Sequence, residues 1–183
     1  MTLRNRLRRD LSASHGVLDE RVSLFSLTDR RGFTGFLRMQ QAALGRLQQA
    51  EAGGLTRALI PALLARTEAD LAELNAAPLS PHPAPLHPLD PLAVDYVIAG
   101  SRLGTVLLRA RWAASENPDV QRAAQYFSAP DGLDIWRAVA ETARAMPAET
   151  RQADRIVADA AALLTLYGDL AARAALEDAS VHV

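Results

Sequence analysis

Residues Asp95 to Trp112, DYVIAGSRLGTVLLRARW, constrain the chain more than any other stretch. Val97, Ile98, Leu103, Leu107 and Leu108 recur at helical spacing with no proline among them, so the stretch reads as a helix reaching to about Ser115. Gly100 and Gly104 lie inside it, and each costs ~1 kcal/mol relative to alanine in a helix interior. Four residues apart, they fall on one face, one turn above the other. With Ser101 they form a strip where something can approach the backbone closely. Two occupants suit such a strip: another helix packed on small residues, or a flat ligand.

The remainder of the chain also reads as helix. Alanine and leucine abound, only four Phe and three Tyr are present, and no alternating β-branched run appears, so the expected fold is all-α, a single domain over residues 1–183. The first helix spans residues 2 to about 20, with Leu3, Leu7, Leu11, Leu18 and Val22 on its apolar side and Arg4, Arg8, Ser12 and His15 along a neighbouring line. A second helix runs from about Arg31 to Glu51 behind a Thr28 or Asp29 cap and ends at Gly53-Gly54. A third runs from about Leu55 to Asn75, with Pro61 expected to kink it. Residues 78–91 hold six of the ten prolines and form an extended connector. After the glycine helix, Asn117-Pro118 opens a short helix through Gln125 or Tyr126. A turn at Pro130-Asp131-Gly132 precedes a helix from Leu133 to Ala145, and Pro147 separates it from a last helix over about Ala148 to Leu176.

Composition removes several kinds of chemistry. The 20 basic residues are all arginine, which excludes Schiff-base lysine catalysis. Cysteine is absent, which excludes disulfides, thiolate nucleophiles and cysteine-ligated metal or haem. A formal net charge of −1 gives no reason to expect nucleic acid as a partner. No apolar run is expected to approach the ~20 residues of a membrane span, and no secretory core follows the basic N-terminus, so a cytoplasmic protein is expected. Among the four histidines, His82 and His87 lie in the proline-rich segment, two ligands at most, and His182 lies in the tail. Only His15 stands on a rigid element, either as a hydrogen-bonded core residue or as a ligand.

Three separated segments, LRNRLRRDLSASHGVLDE, YVIAGSRLGTVLL and AAQYFSAPDGLDIWRAV, resemble in order and spacing the biliverdin-producing haem oxygenases, most nearly the bacterial branch that accompanies phytochromes. The resemblance implies haem between the first helix and the glycine helix, with His15 as the axial iron ligand and Gly100, Ser101, Gly104 and Thr105 over the opposite face. It implies oxidative cleavage of haem to biliverdin, ferrous iron and carbon monoxide, with dioxygen and an external reductant. The electron donor would be a ferredoxin or a flavoprotein reductase, and the product a bilin chromophore for a bacteriophytochrome. Arg8, two turns and ~10 Å before His15, and Arg137 would hold the propionates, since arginine grips carboxylates in two-pronged fashion. Thr105 stands where many members carry a second glycine, and Ser101 where animal members carry an aspartate. A haem- or bilin-binding protein of the same fold without turnover, and a helical interaction module that uses the glycine strip only for packing, are the alternatives.

Overall fold

The apolar periodicities are realised as eight α-helices among the described residues, 1–80 and 86–180 of a computed structural model. They are α1 (Leu3–Asp10), α2 (Ser12–Ser23), α3 (Arg30–Gln49), α4 (Leu59–Glu73), α5 (Pro91–Ala113), α6 (Pro118–Arg122), α7 (Leu133–Ala145) and α8 (Arg151–Ser180). The protein is all-α, as expected. Helices α3, α4, α5 and α8 surround an aromatic centre in which Phe127 contacts Phe33, Phe36 and Trp112, at ring separations of 5.8, 5.8 and 5.5 Å.

The single N-terminal helix expected over 2–20 is two. Leu3, Leu7 and Leu11 are buried, but α2 buries no residue completely and rests against α8 through Leu18 and Val22. The apolar stripe skips from Leu11 to Leu18, and the turn between them carries Ser14 and His15 where a core residue would otherwise stand. That gap in the stripe is what leaves space between α2 and α5.

Other boundaries move for local reasons. Helix α4 begins at Leu59, not Leu55, because the buried Asp95 carboxylate gathers the N–H groups of Gly54, Leu55 and Thr56 at 3.0, 2.8 and 2.9 Å and the Thr56 hydroxyl at 2.6 Å. Pro61 then falls in the first turn of α4, where its missing N–H is not needed. Helix α6 stops at Arg122 because Asp70 accepts the N–H groups of Gln125 and Tyr126, each at 2.8 Å, which a continuing helix would have used. Helix α8 begins at Arg151, since residues 146–148 pair with the N-terminus: Leu3 donates to the Met146 carbonyl and Ala148 to that of Met1.

One composition-based expectation needs correction. Helix α5 is long and apolar enough to cross a membrane by length and composition alone, with a hydropathy of 1.3 over its best window. Of that window 44 % is buried inside the bundle. In the proline-rich connector the described residues carry no helix before Pro91. Arg173 holds the Ser80 carbonyl at 2.8 Å, and Asp159 accepts the Asp90 N–H at 2.7 Å.

Candidate functional site: a cleft between the N-terminal helices and α5

A cleft of about 660 Å³ opens where α2 leaves the core. That lies within the roughly 300–1,000 Å³ usual for sites that hold small molecules and cofactors. One wall is built by Leu7, Arg8, Leu11, Ser12, His15 and Gly16; the facing wall by Val97, Gly100, Ser101, Leu103, Gly104 and Thr105 of α5. Phe36, Met39, Tyr126, Leu164 and Tyr167 close the inner end, and Trp136 of α7 flanks Gly100.

The two α5 glycines differ. A Cβ at Gly100 would come within 3.3 Å of the Trp136 Cζ3 atom, so this glycine admits an indole from α7. A Cβ at Gly104 would meet nothing within 4 Å, and the same holds for Gly16 on the other wall. No helix packs on Gly104. Its helix-propensity cost is therefore not offset by packing, and the absent side chain leaves cleft space instead.

His15 lines the cleft from α2, and its side chain is 61 % exposed, so the cleft is open to solvent at that edge. Its Nδ1 lies 2.8 Å from Oδ2 of Asp19, one turn further on. A carboxylate on Nδ1 favours the tautomer with its proton there, which leaves Nε2 as the free lone pair. The hydroxyls of the facing wall turn back on their own helix: Ser101 Oγ donates to the Ile98 carbonyl at 2.8 Å, and Thr105 Oγ1 to that of Ser101 at 3.1 Å. Their oxygens keep lone pairs for accepting.

Arg8 lines the cleft and makes no ion pair among the described residues, and neither does Arg4 one turn before it. Both charges act on Tyr96, another wall residue: burial raises the pKa of its hydroxyl, and Arg4 and Arg8 pull it part of the way back. This corner is apolar against the rings of Tyr96 and Trp136, 5.4 Å apart, and cationic at its edge. Arg137 is not brought to it. That side chain is 70 % exposed and pairs with Asp134 at 3.0 Å on the outer side of α7, because the indole one residue earlier takes the cleft-facing position.

The cleft residues to which the sequence assigns no chemistry are Asp19 and three aromatics that read as core, Trp136, Tyr126 and Tyr167. Asp19 carried a usable signal, an acidic residue four positions after the histidine. The tyrosines carried none, since an aromatic at helical spacing looks the same whether it ends in the core or at a cavity wall. Of the metal-ligating alternatives, His82 and His182 lie outside the described residues, and His87 sits 3.7 Å from Asp159, far along the chain from the cleft residues. No group of three or more His, Asp or Glu residues suited to a metal ion occurs among the described residues.

The donor set suits a largely apolar ligand with an anionic edge. One imidazole nitrogen is held free, the facing wall is bare at Gly104, the lining is mainly hydrophobic, and two cations at one corner lack counter-ions. No protein-family model matches the chain, and no curated protein matches it at a significant level.

Proposed function

We propose that this protein binds haem in the cleft between α1–α2 and α5 and oxidises it to biliverdin, ferrous iron and carbon monoxide, with dioxygen and electrons from an external donor. The observation that carries the proposal is the pairing of Gly104, open to the cleft and packed against nothing, with a tethered His15 on the opposite wall. Haem, when bound, supplies the redox-active iron and is itself the porphyrin that is opened.

The chain supplies the rest. His15 would offer Nε2 to the iron, with Asp19 on Nδ1 fixing its tautomer. Arg8, with Arg4 behind it, binds the carboxylate edge by charge-assisted hydrogen bonds. Gly104 keeps the facing wall low enough for a small molecule beside the ring, while Leu7, Leu11 and Val97 exclude bulk water. Ser101 and Thr105 offer acceptor oxygens to ordered water on that side. The protein works as a cytoplasmic enzyme whose donor is a ferredoxin or flavoprotein reductase, and the bilin passes to a bacteriophytochrome. Thr105 favours one second reading, a haem- or bilin-binding protein of the same fold without turnover, because its side chain stands in the facing wall.

Haem titration of the wild type against His15→Ala tests the proposal. The wild type should give a histidine-haem Soret band that the variant lacks. Under reductant and air that band should decay as red bilin absorbance grows. Haem that binds but survives these conditions supports the second reading, and activity gained by Thr105→Gly would locate the block. No haem uptake at all leaves the interaction-module reading.

A further inference from the structure

Behind the inner end of the cleft lies a charge without a counter-ion among the described residues. Arg102, on α5 between the two glycines, is completely buried. Only its Nη2 is bonded, to the carbonyls of Ala129 and Pro130 at 3.3 and 3.2 Å; Nε and Nη1 have no partner. It forms no ion pair among the described residues, and another cation, Arg109, shares the Ala129 carbonyl at 3.2 Å with its own Nε unpartnered. A cation buried without a counter-charge is costly and normally answered by some other group. Its guanidinium carbon lies 5.3 Å from the ring centroid of Tyr126, whose side chain forms part of the cleft's inner end beside Thr105 and Tyr167.

We infer that Arg102 is a positioning residue that polarises the Tyr126 hydroxyl into a hydrogen-bond donor at the inner end of the cleft, and that this end is a subsite for a small anion or acceptor atom. The ligand half of this inference rests on the haem reading, in which the subsite adjoins the facing wall of α5. Burial keeps both tyrosines protonated. It raises the pKa of Tyr126, with Arg102 and then Thr105 pulling in the opposite direction, and it raises that of Tyr167 too, with the neighbouring Tyr126 adding to the rise. Both hydroxyls are therefore donors at any physiological pH, and Tyr126 is the stronger one because a cation stands behind it.

The test has one arm without haem and one with it. A fluorinated tyrosine that ionises near neutral pH, placed at position 126 of the full chain, gives an ionisation midpoint by fluorine NMR. Arg102→Met should raise that midpoint by about one pH unit, a tenfold change in the equilibrium. Arg102→Lys, which keeps the charge but not the fork to the two carbonyls, should restore it. An unchanged midpoint in Arg102→Met overturns the inference. Should that variant not fold, the same label at 126 and at 167 of the otherwise native chain decides: the midpoint at 126 must lie below that at 167. In the second arm, the ferric haem-loaded protein is titrated with fluoride, a small acceptor anion. Compared at equal haem loading, Tyr126→Phe should weaken fluoride binding by about tenfold, the loss expected for one hydrogen bond to a charged partner. Equal fluoride affinity overturns the subsite. A wild type that takes up no haem overturns the parent proposal and the subsite's ligand, while the fluorotyrosine midpoints still decide whether Arg102 acts on Tyr126.

Discussion

The indole of Trp136 lies against Gly100, where an added Cβ would stand 3.3 Å from Cζ3, whereas one turn further on an added Cβ at Gly104 would meet nothing. Two glycines that look equivalent in the sequence thus have different causes. One is required by packing and the other only by the cleft. Gly104→Ala should therefore stabilise the apoprotein by up to about 1 kcal/mol, the helix-propensity difference, with no steric penalty. Gly100→Ala should gain less or lose, because the indole must shift by a few tenths of an ångström. Urea denaturation of the two variants checks this. If the proposed occupant is correct, Gly104→Leu should fold normally and lose haem uptake.

The 2.8 Å contact between His15 Nδ1 and Asp19 Oδ2 predicts a role for a residue that touches no ligand itself. Second-sphere carboxylates of this kind are worth roughly 10–100-fold in metal affinity or activity. Asp19→Leu should weaken haem binding within that range and lower the iron–histidine stretching frequency in the ferrous protein. His15→Ala should abolish the histidine-type spectrum altogether. An Asp19 variant with wild-type affinity and an unmoved stretching band would mean that the carboxylate only pairs with the imidazole on the surface.

Arg4 and Arg8 stand one turn apart without counter-ions among the described residues, and both act on Tyr96 at the cleft wall. If they receive two carboxylates, the double variant Arg4→Gln/Arg8→Gln should bind haem more weakly by roughly tenfold or more, since hydrogen bonds to charged groups contribute about 1.5–3 kcal/mol each. The discriminating measurement compares haem with its dimethyl ester. The wild type should prefer the free acid, and the double variant should bind both alike.

The elements that were legible in the sequence are those set by apolar periodicity. Helix α7 spans Leu133–Ala145, as the turn at Gly132 and the break at Pro147 require. Two of the boundaries that moved were set by distant carboxylates: Asp95 reaches back about forty residues to bind the turn before α4, and Asp70 reaches forward to end α6. No local pattern announces such a partner. At the cleft, His15, Arg8, Gly100, Ser101, Gly104 and Thr105 come together because the first helix and α5 each carry a run of small or polar residues at one level. Arg137 does not join them, because its phase on α7 was one residue from the cleft-facing position that Trp136 occupies. Tyr126 and the carbonyls that hold the buried Arg102 depend on how the 123–130 segment folds back, where Asp70 fixes Gln125 and Tyr126.

Asp70 also makes a prediction that separates fold from site. Its two oxygens accept the N–H groups of Gln125 and Tyr126 at 2.8 Å each, so it fixes the backbone of the tyrosine at the inner end of the cleft. Burial raises its pKa above the ordinary 3.8, and the two N–H groups only partly offset the rise. A carboxyl whose folded pKa is raised contributes stability that is full below the unfolded value and declines as pH rises through the folded one. Asp70→Asn keeps one acceptor but sets an amide NH₂ against the other backbone N–H, at a cost of about 1–3 kcal/mol. That cost should be largest below about pH 4, where the wild-type carboxyl is protonated, and should shrink toward neutrality. Urea denaturation of both proteins between pH 3.5 and 7 measures the gap directly, since acid effects common to the two chains cancel. A gap that widens with pH would mean that the two N–H groups, and not burial, dominate the carboxylate's surroundings.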